Sequence, residues 1–293
     1  MNNLKNNELK FIVIMIIAMV TWGYSWTSAK ILGPYGDINV KLVLRFLLAA
    51  ITLAPILIWY KIDFYINRSG IKFILINALA LCSYNYFYFK STHVGLAGVG
   101  GVLVTTLNPL LTSTIAFLFF NKSFSKKDVL GLIIGFVGGG IIMRLWEMNY
   151  TLMLESGNIY FILASLSWVT VTINSQDSNK SIHFLAYSFW SFVCSFLISF
   201  IFCDWKILIE TVQYGSTFWI NILILSIIVM SFANTIYFYA SSRLGAVKAS
   251  SFIFVVPLTA LIFSRILLSE KILISTLIGG VFSITAVYII NKK

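Results

Sequence analysis

The chain has 293 residues, 59% of them hydrophobic and 11% charged, with a formal net charge of +11 and a mean hydropathy of +0.92. About a quarter of the residues in soluble domains are charged, so this composition indicates an integral membrane protein and argues against a soluble domain. The three cysteines lie within or beside apolar runs, without the spacing of a disulfide pair or a metal site. We therefore expect no metal and no cofactor.

Ten runs of mostly apolar residues follow one another along the chain. Crossing about 30 Å of hydrocarbon takes a helix of roughly 20 such residues. Their hydrophobicity is spread around the helix rather than confined to one stripe, unlike that of a surface helix. The sequence therefore predicts an all-α integral membrane protein with ten transmembrane helices. The predicted spans are residues 9–29, 40–60, 71–90, 97–120, 127–145, 157–174, 183–203, 217–240, 246–268 and 272–291.

The lysines and arginines divide unequally between the two predicted sides of the membrane. Thirteen of the 21 lie on the side of the chain termini, six lie on the opposite side, and Arg45 and Arg265 lie within spans. Because cytoplasmic loops carry the excess of positive charge, we predict cytoplasmic N- and C-termini in the inner (plasma) membrane. The basic excess thus reflects topology, and we expect a lipid bilayer but no nucleic acid as a partner.

The two halves of the chain resemble each other. Pro109 aligns with Pro257 at an offset of 148 residues, and Trp22 aligns with Trp168 at an offset of 146. Five spans in each half is an odd number, so the second copy would enter the membrane from the opposite side. Inverted repeats of this kind are typical of alternating-access transporters, whose substrate site lies near the middle of the membrane. The predicted repeats cover residues 1–150 and 151–293.

Several stretches of the sequence resemble the drug/metabolite transporter superfamily, EamA branch. They are TWGYSW in the first span, LRFLLAAITL in the second, small residues followed by proline in spans four and nine, and the closing LLSEKILISTLIGG. The resemblance covers nearly the whole chain and implies ten helices in a 5+5 arrangement and a permease for small metabolites. The acidic residue that the family carries after its proline-containing helix is Glu270 in the second half. Lys122 stands at the matching place in the first half.

The first span contains the polar and aromatic stretch MVTWGYSWTSAK. A helix that begins near residue 9 rises about 1.5 Å per residue, which places Trp22 well inside the bilayer. We predict that Trp22, together with Tyr24 and Trp168, forms the wall of a substrate cavity. Trp26 lies closer to the end of the span and fits an aromatic belt at the outer interface.

Spans four and nine each carry a proline in mid-helix. A proline removes one backbone hydrogen bond, so Pro109 and Pro257 are predicted as hinges. Polar residues nearby should face the interior of the bundle, because unpaired polar groups cost several kcal/mol in hydrocarbon. Thr105, Asn108 and Ser251 are therefore candidate substrate-binding residues, and hydrogen bonding between helices is the alternative role.

Spans three and eight end in similar stretches, CSYNYFYFK and FANTIYFYA. Asn85 aligns with Asn234 within one residue, and tyrosines follow each of them. A buried asparagine offers two donors and one acceptor, which suits a zwitterion or an amide, although asparagine also joins membrane helices to each other. We include Tyr88 and Tyr237 with the two asparagines in the predicted site.

The charges within the spans bear on the substrate. Arg45 and Arg265 are both predicted near the outer surface, where their side chains could reach water. No Asp or Glu lies in the interior of a predicted span, which disfavours proton-driven efflux of lipophilic cations. The outer cations and the N-terminal end of span four would suit a carboxylate on the solute. Alternatively, these cations only anchor helix ends.

Span five carries glycines at intervals of four residues. Gly131, Gly135 and Gly139 follow the pattern of small residues that lets membrane helices approach closely. We assign them to helix packing. They do not form a phosphate-binding loop, because no lysine followed by Ser or Thr comes after them.

Together these features favour an alternating-access transporter of small metabolites. We expect amino acids or related carboxylate-bearing solutes as substrates, export as the direction, and a monomer or homodimer. The alternatives are a multidrug or nucleotide-derivative transporter and a passive facilitator. We do not expect an enzyme, since HExxH and GxSxG are missing from the sequence and His93 and His183 are far apart along it.

Overall fold

The computed structural model describes residues 2–120, 126–147, 151, 155–178 and 180–291. The described residues form helices and turns and no β-strand. Short helical segments, including Trp205–Glu210, lie in the loops. The long helices are α1 (Asn2–Ile31), α2 (Ile38–Trp59), α3 (Arg68–Val94), α4 (Ala97–Phe120), α5 (Lys126–Met143), α6 (Asn158–Ser178), α7 (Phe184–Ile201), α8 (Ser216–Leu244), α9 (Ala246–Leu268) and α10 (Ile274–Asn291).

A long helix covers each of the predicted spans. Within the described residues, seven helices are long and apolar enough to cross a membrane, namely α1 to α4 and α7 to α9. The apolar parts of α5 and α10 are shorter, at Val129–Met143 and Ile274–Ala286. The protein is therefore an all-α membrane protein, while the number of ten crossings stays a prediction.

Polar side chains determine where three of the helices begin. The Asp37 carboxylate accepts a hydrogen bond from Asn39 N at the start of α2, and the Asn67 side chain accepts one from Gly70 N at the start of α3. His183 does the same at the start of α7. These caps satisfy backbone amides that have no partner within the helix.

Two helices of the second half depart from regular α-helix. The middle of α8, Ile224–Asn234, is π-helical. In α9, a 3-10 turn at Phe252–Phe254 precedes Pro257. Pro257 cannot donate a backbone hydrogen bond to the carbonyl four residues earlier, which accounts for a change of helix type there. Such departures change the direction of side chains and carbonyl groups and occur often at functional sites.

The helix contacts are symmetric when the two halves are exchanged. Helix α1 packs on α8 and α9, and its counterpart α6 packs on α3 and α4. The pairs α2–α7, α4–α9 and α5–α10 each join equivalent helices of the two halves. This pattern of contacts is the one expected of two halves related by an approximate two-fold axis. An inverted relation also needs five crossings in each half and stays a prediction.

Helices α5 and α10 approach each other so closely that their backbones meet. A Cβ atom added at Gly138 would lie 2.7 Å from the carbonyl oxygen of Gly279. Gly131, Gly135 and Gly139 are all buried, but the backbone contact with α10 is made at Gly138. The glycines spaced four residues apart therefore identify the buried face of α5. The closest backbone contact with α10 is made one position before Gly139, at Gly138.

We expect Gly138→Ala to destabilise the protein, since real Cβ atoms do not come within 3.0 Å of a backbone atom. Overpacking of this kind costs about 1 to 3 kcal/mol. Gly139→Ala is the matched control, because the nearest atom to its Cβ would be Leu107 Cδ2 at an ordinary 3.4 Å. Thermal unfolding in detergent measures both variants. Equal melting temperatures for the two would contradict this account of the helix contact.

Candidate functional site

A narrow cavity lies between the two halves of the bundle. It is enclosed by helices α1 to α4, α6 and α8. Its volume is about 20 Å³, room for about one water molecule. A metabolite can therefore bind there only if the surrounding helices separate. The lining residues are Trp22, Ser25, Trp26, Arg45, Tyr84, Val104, Thr105, Asn108, Trp168, Val229 and Asn234.

The centre of the cavity is built on two tryptophans from equivalent positions of the two halves. The rings of Trp22 and Trp168 pack edge to face, with centroids 5.0 Å apart and an interplanar angle of 88°. The Tyr237 ring lies 4.9 Å from Trp22, and the Tyr84 ring lies 4.6 Å from Trp168. Equivalent residues that touch must lie on the two-fold axis, so this aromatic cluster marks the contact between the repeats.

Arg45 brings a positive charge to the cavity. It is only 2% exposed, and its Nη1 donates to Asn85 Oδ1 at 2.6 Å while its Nε donates to the Leu225 carbonyl at 3.3 Å. The guanidinium carbon lies 5.4 Å from the centroid of the Tyr88 ring. No carboxylate of a described residue lies within 4.0 Å of Arg45.

The prediction that Arg45 reaches the outer surface is therefore wrong. The residue lies seven positions after the start of α2, about 10 Å along the helix axis. Its side chain points into the bundle because α3 and α8 supply an amide oxygen, a carbonyl oxygen and aromatic rings in place of water.

Several polar groups around the cavity complete its chemistry. Trp22 Nε1 donates to Asn234 Oδ1 at 2.9 Å. Asn108 is 3% exposed, and its Oδ1 has no hydrogen-bond partner among the described residues. The Nε1 of Trp168 makes no hydrogen bond of normal geometry to a described residue, although the Tyr237 hydroxyl is close enough to interact with it. The acceptor of Asn108 on α4 thus has no partner among the described residues, whereas the donor of Trp168 on α6 faces the Tyr237 hydroxyl.

Of the predicted site residues, Asn85, Tyr88 and Tyr237 contact lining residues without lining the cavity themselves, whereas Tyr24 and Arg265 lie away from it. Tyr24 is half-buried and packs against Phe263, with ring centroids 5.2 Å apart. Arg265 is exposed at the end of α9, where it donates to the Glu270 carbonyl at 3.4 Å. The side chain of Ser251 lies outside the described part of the chain.

Trp26 and its neighbours are the residues that sequence reasoning missed. Trp26 was expected in an outer aromatic belt, and this is wrong: it is 2% exposed and packs 4.7 Å from the Tyr88 ring. The Tyr88 hydroxyl donates to the Ser25 carbonyl at 2.5 Å. The sequence did contain a signal for these residues. Trp26 lies four residues after Trp22, and Tyr84 lies four residues before Tyr88, so each shares a helix face with a predicted site residue.

The N-terminal end of α4, which was expected to suit a carboxylate on the solute, already holds one. The Glu270 carboxylate accepts hydrogen bonds from Ala97 N at 2.9 Å and Gly98 N at 3.0 Å. These amides have no partner within the helix, and the helix dipole favours a negative charge there. Glu270 therefore joins the loop before α10 to the start of α4. Lys122, at the matching place in the first half, lies outside the described residues.

A bundle of two similar halves with a polar and aromatic cavity between them defines a multi-pass helical membrane protein. The chain belongs to the EamA-like transporter family, whose family model matches residues 9–144 and again 155–292. It therefore contains two copies of the family's repeat and is a membrane transporter of small solutes.

Known proteins resemble the chain over nearly its whole length. The uncharacterized transporter YvbV of Bacillus subtilis is 24% identical and aligns with 97% of this chain and 90% of its own. The uncharacterized transporter YoaV of the same bacterium is 23% identical over 93% of both chains. A crystal structure with a TM-score of 0.66 covers 96% of this chain and 97% of its own at 13% identity, which shows the shared fold.

The cap on α4 can be tested separately from solute binding. We expect Glu270→Gln to lower the free energy of unfolding by about 1 kcal/mol, since it removes the charge at the helix N-terminus and one acceptor. Glu147→Gln is the control, because Glu147 pairs with Arg144 on the exposed surface, where ion pairs contribute little. Thermal unfolding measures both. An unfolding free energy of Glu270→Gln equal to that of the native protein would disprove the cap.

Proposed function

We propose that the protein carries amino acids or related carboxylate-bearing solutes across the plasma membrane by alternating access, with export as the direction. The observation that carries this proposal is the buried guanidinium of Arg45 at the cavity, without a carboxylate partner among the described residues. Desolvating such a charge costs several kcal/mol unless it is paired. The carboxylate of a solute supplies that pairing, and arginine binds carboxylates through two parallel hydrogen bonds.

The opposite wall of the cavity suits the amino group of an amino acid. Pro109 has no backbone N–H, so the carbonyl of Thr105 loses its helical donor. The Thr105 hydroxyl donates to the Gly101 carbonyl within the helix and leaves that freed carbonyl available. Together with the unpaired Asn108 Oδ1, α4 presents two acceptors to the cavity. An ammonium group needs such acceptors, and the aromatic rings nearby also attract cations.

The symmetric packing of the two halves supports a rocking motion. Equivalent helices meet at the axis, so opening one end of the bundle resembles opening the other with the halves exchanged. The prolines of α4 and α9 would serve as hinges, because helices bend where the backbone ladder is interrupted.

The alternatives fit the site less well. A lipophilic drug cation would meet the positive charge of Arg45 at close range. A nucleotide derivative carries more negative charge than one guanidinium neutralises. A passive facilitator needs a continuous path, whereas the cavity is closed to about 20 Å³. These observations favour a carrier of small carboxylates.

Counterflow into proteoliposomes tests the role of Arg45. Leucine, 4-methylpentanoate and 3-methylbutylamine share one side chain. Leucine carries both a carboxylate and an ammonium group, 4-methylpentanoate carries only the carboxylate, and 3-methylbutylamine carries only the ammonium group. The corresponding compounds of alanine and phenylalanine give two further sets of three. We expect the native protein to prefer members with a carboxylate. Arg45→Gln should raise their half-saturation concentrations about ten- to a hundredfold, as expected for a lost charged hydrogen bond.

Arg265→Gln is the matched control for Arg45→Gln. It removes the same charge from the exposed end of α9, and its half-saturation concentrations should match those of the native protein. Arg45→Lys keeps the charge and should retain part of the preference for carboxylates. A native preference for the amine, or equal losses in both Gln variants, would rule out Arg45 as the carboxylate site.

Asn108→Leu tests the proposed ammonium acceptors. We expect the half-saturation concentration for leucine to rise about tenfold, as for one hydrogen bond to a charged group, and that for 4-methylpentanoate to stay within about twofold. Thr112→Val is the control, because Thr112 is buried on α4 with an unpaired hydroxyl but does not line the cavity. Equal effects of Asn108→Leu on both solutes would contradict the assignment.

A further inference from the structure

We infer that Lys41 forms a second anion-binding site. The carboxylate of the solute would occupy this site on its way between Arg45 and the N-terminal end of α2. The inference rests on the proposed function. Lys41 lies four residues before Arg45, so both side chains leave the same face of α2 about 6 Å apart along the axis. The start of α2 faces the side opposite the chain termini, which is the predicted outer side.

Lys41 is buried without a carboxylate partner, as Arg45 is. It is 2% exposed, and its Nζ donates one long hydrogen bond, to the Gly33 carbonyl at 3.3 Å. An ammonium group has three donors, and no carboxylate of a described residue lies within 4.0 Å of Nζ. Lys41 Nζ, with one long hydrogen bond, and Arg45 Nη2, with none to a described residue, thus follow each other along one face of α2.

One aromatic ring joins the two cations. The Phe89 ring of α3 lies 5.9 Å from Lys41 Nζ and 5.7 Å from the guanidinium carbon of Arg45. Both charges therefore border the same apolar surface between α2 and α3. Both side chains are buried, so an anion can pass from one cation to the other only when the helices separate; it then approaches the second charge as it leaves the first.

The fold itself does not require these cations. Helix α7 is the counterpart of α2, and its cap His183 follows the cap of α2 by 146 residues. The same offset places Tyr187 at the position of Lys41 and Ser191 at the position of Arg45. Since α7 forms the equivalent helix with neutral residues, helix packing at these two positions does not by itself require a charge.

The surroundings of Lys41 are positive towards the end of α2. Lys30 donates to the carbonyls of His93 and Gly95 at 3.1 and 2.8 Å, and it lies in the same region as Lys41. The nearest acid, Asp37, accepts from Asn39 N as the cap of α2. Lys30, Lys41 and Lys90 all lie near His93 and outnumber the two acids close to them, Asp37 and Glu270, and an excess of positive charge at the mouth of a low-dielectric passage concentrates anions there.

A second binding site also helps a carrier to release a tightly bound solute. A desolvated arginine binds a carboxylate strongly, and a carrier must also release it. Conduction and transport proceed when successive sites share the ion, so that none holds it too tightly. Lys41 provides the second site on the exit side, and the matching position of α7 carries the neutral Tyr187.

Lys41→Met is the test, with counterflow measured separately from each side in oriented membrane vesicles and with the leucine triplet as probe. We expect the half-saturation concentration for leucine and 4-methylpentanoate to rise about tenfold on the side of the α2 N-terminus. On the opposite side it should change less than twofold, and uptake of 3-methylbutylamine should not change on either side. Lys41→Gln, which keeps a donor for the Gly33 carbonyl but loses the charge, should behave alike.

Lys90→Met is the matched control. Lys90 lies at the same end of the bundle, with Nζ 6.0 Å from the Tyr160 ring, and its loss should leave both sides unchanged. Equal effects of Lys41→Met and Lys90→Met would show that Lys41 acts only as non-specific surface charge, and this would contradict the second binding site. Lower thermal stability of Lys41→Met and Lys41→Gln with native half-saturation concentrations would make Lys41 a helix anchor, which also overturns it. Unchanged kinetics in Arg45→Gln would instead refute the proposed function.

Discussion

The central site depends on one desolvated charge. Arg45 gives up water for an amide oxygen from α3, a carbonyl oxygen from α8 and the faces of aromatic rings. Those contacts return only part of the several kcal/mol that burial of the charge costs. Because the partners come from both halves of the bundle, any movement that separates the halves also changes the environment of the charge. In the proposed transport cycle, the motion of the halves and the affinity for the solute are therefore linked through Arg45.

The two halves share their packing but not their charge. In the first half Arg45 donates to Asn85 at 2.6 Å, while the corresponding position in the second half, Ser191, accepts from Asn77 at 2.9 Å. Both contacts join the second helix of a repeat to the third helix of the first half. The neutral pair keeps the helices together, and the charged pair does so while exposing a cation to the cavity. The two contacts are not equivalents of each other, since both use α3, and in the proposed cycle the cation of the first half is the group that recognises the solute.

Hydropathy and the internal repeat were enough to predict the helices and to pair Trp22 with Trp168, since both signals are patterns along the chain. The position of the Arg45 side chain was not predictable, because its partners lie 40 and 180 residues away. The same holds for Glu270, which caps a helix 173 residues earlier. The sequence near a charged residue at a helix end does not show whether its side chain contacts water or a carbonyl group from a distant part of the chain. Only the tertiary structure distinguishes these two cases.

The closed cavity connects binding to opening. Separating the repeats breaks the edge-to-face contact of Trp22 with Trp168, worth about 0.5 to 1.5 kcal/mol, and the hydrogen bond from Trp22 to Asn234, worth about 1 kcal/mol. A carboxylate bound to Arg45 returns about 1.5 to 3 kcal/mol. Because the gain is of the same order as the loss of these two contacts, a solute with a carboxylate stabilises the opened state more than a neutral solute of the same size does. In the proposed cycle, the protein then selects solutes with a carboxylate in two ways, through contacts within the site and through the ease with which the halves separate.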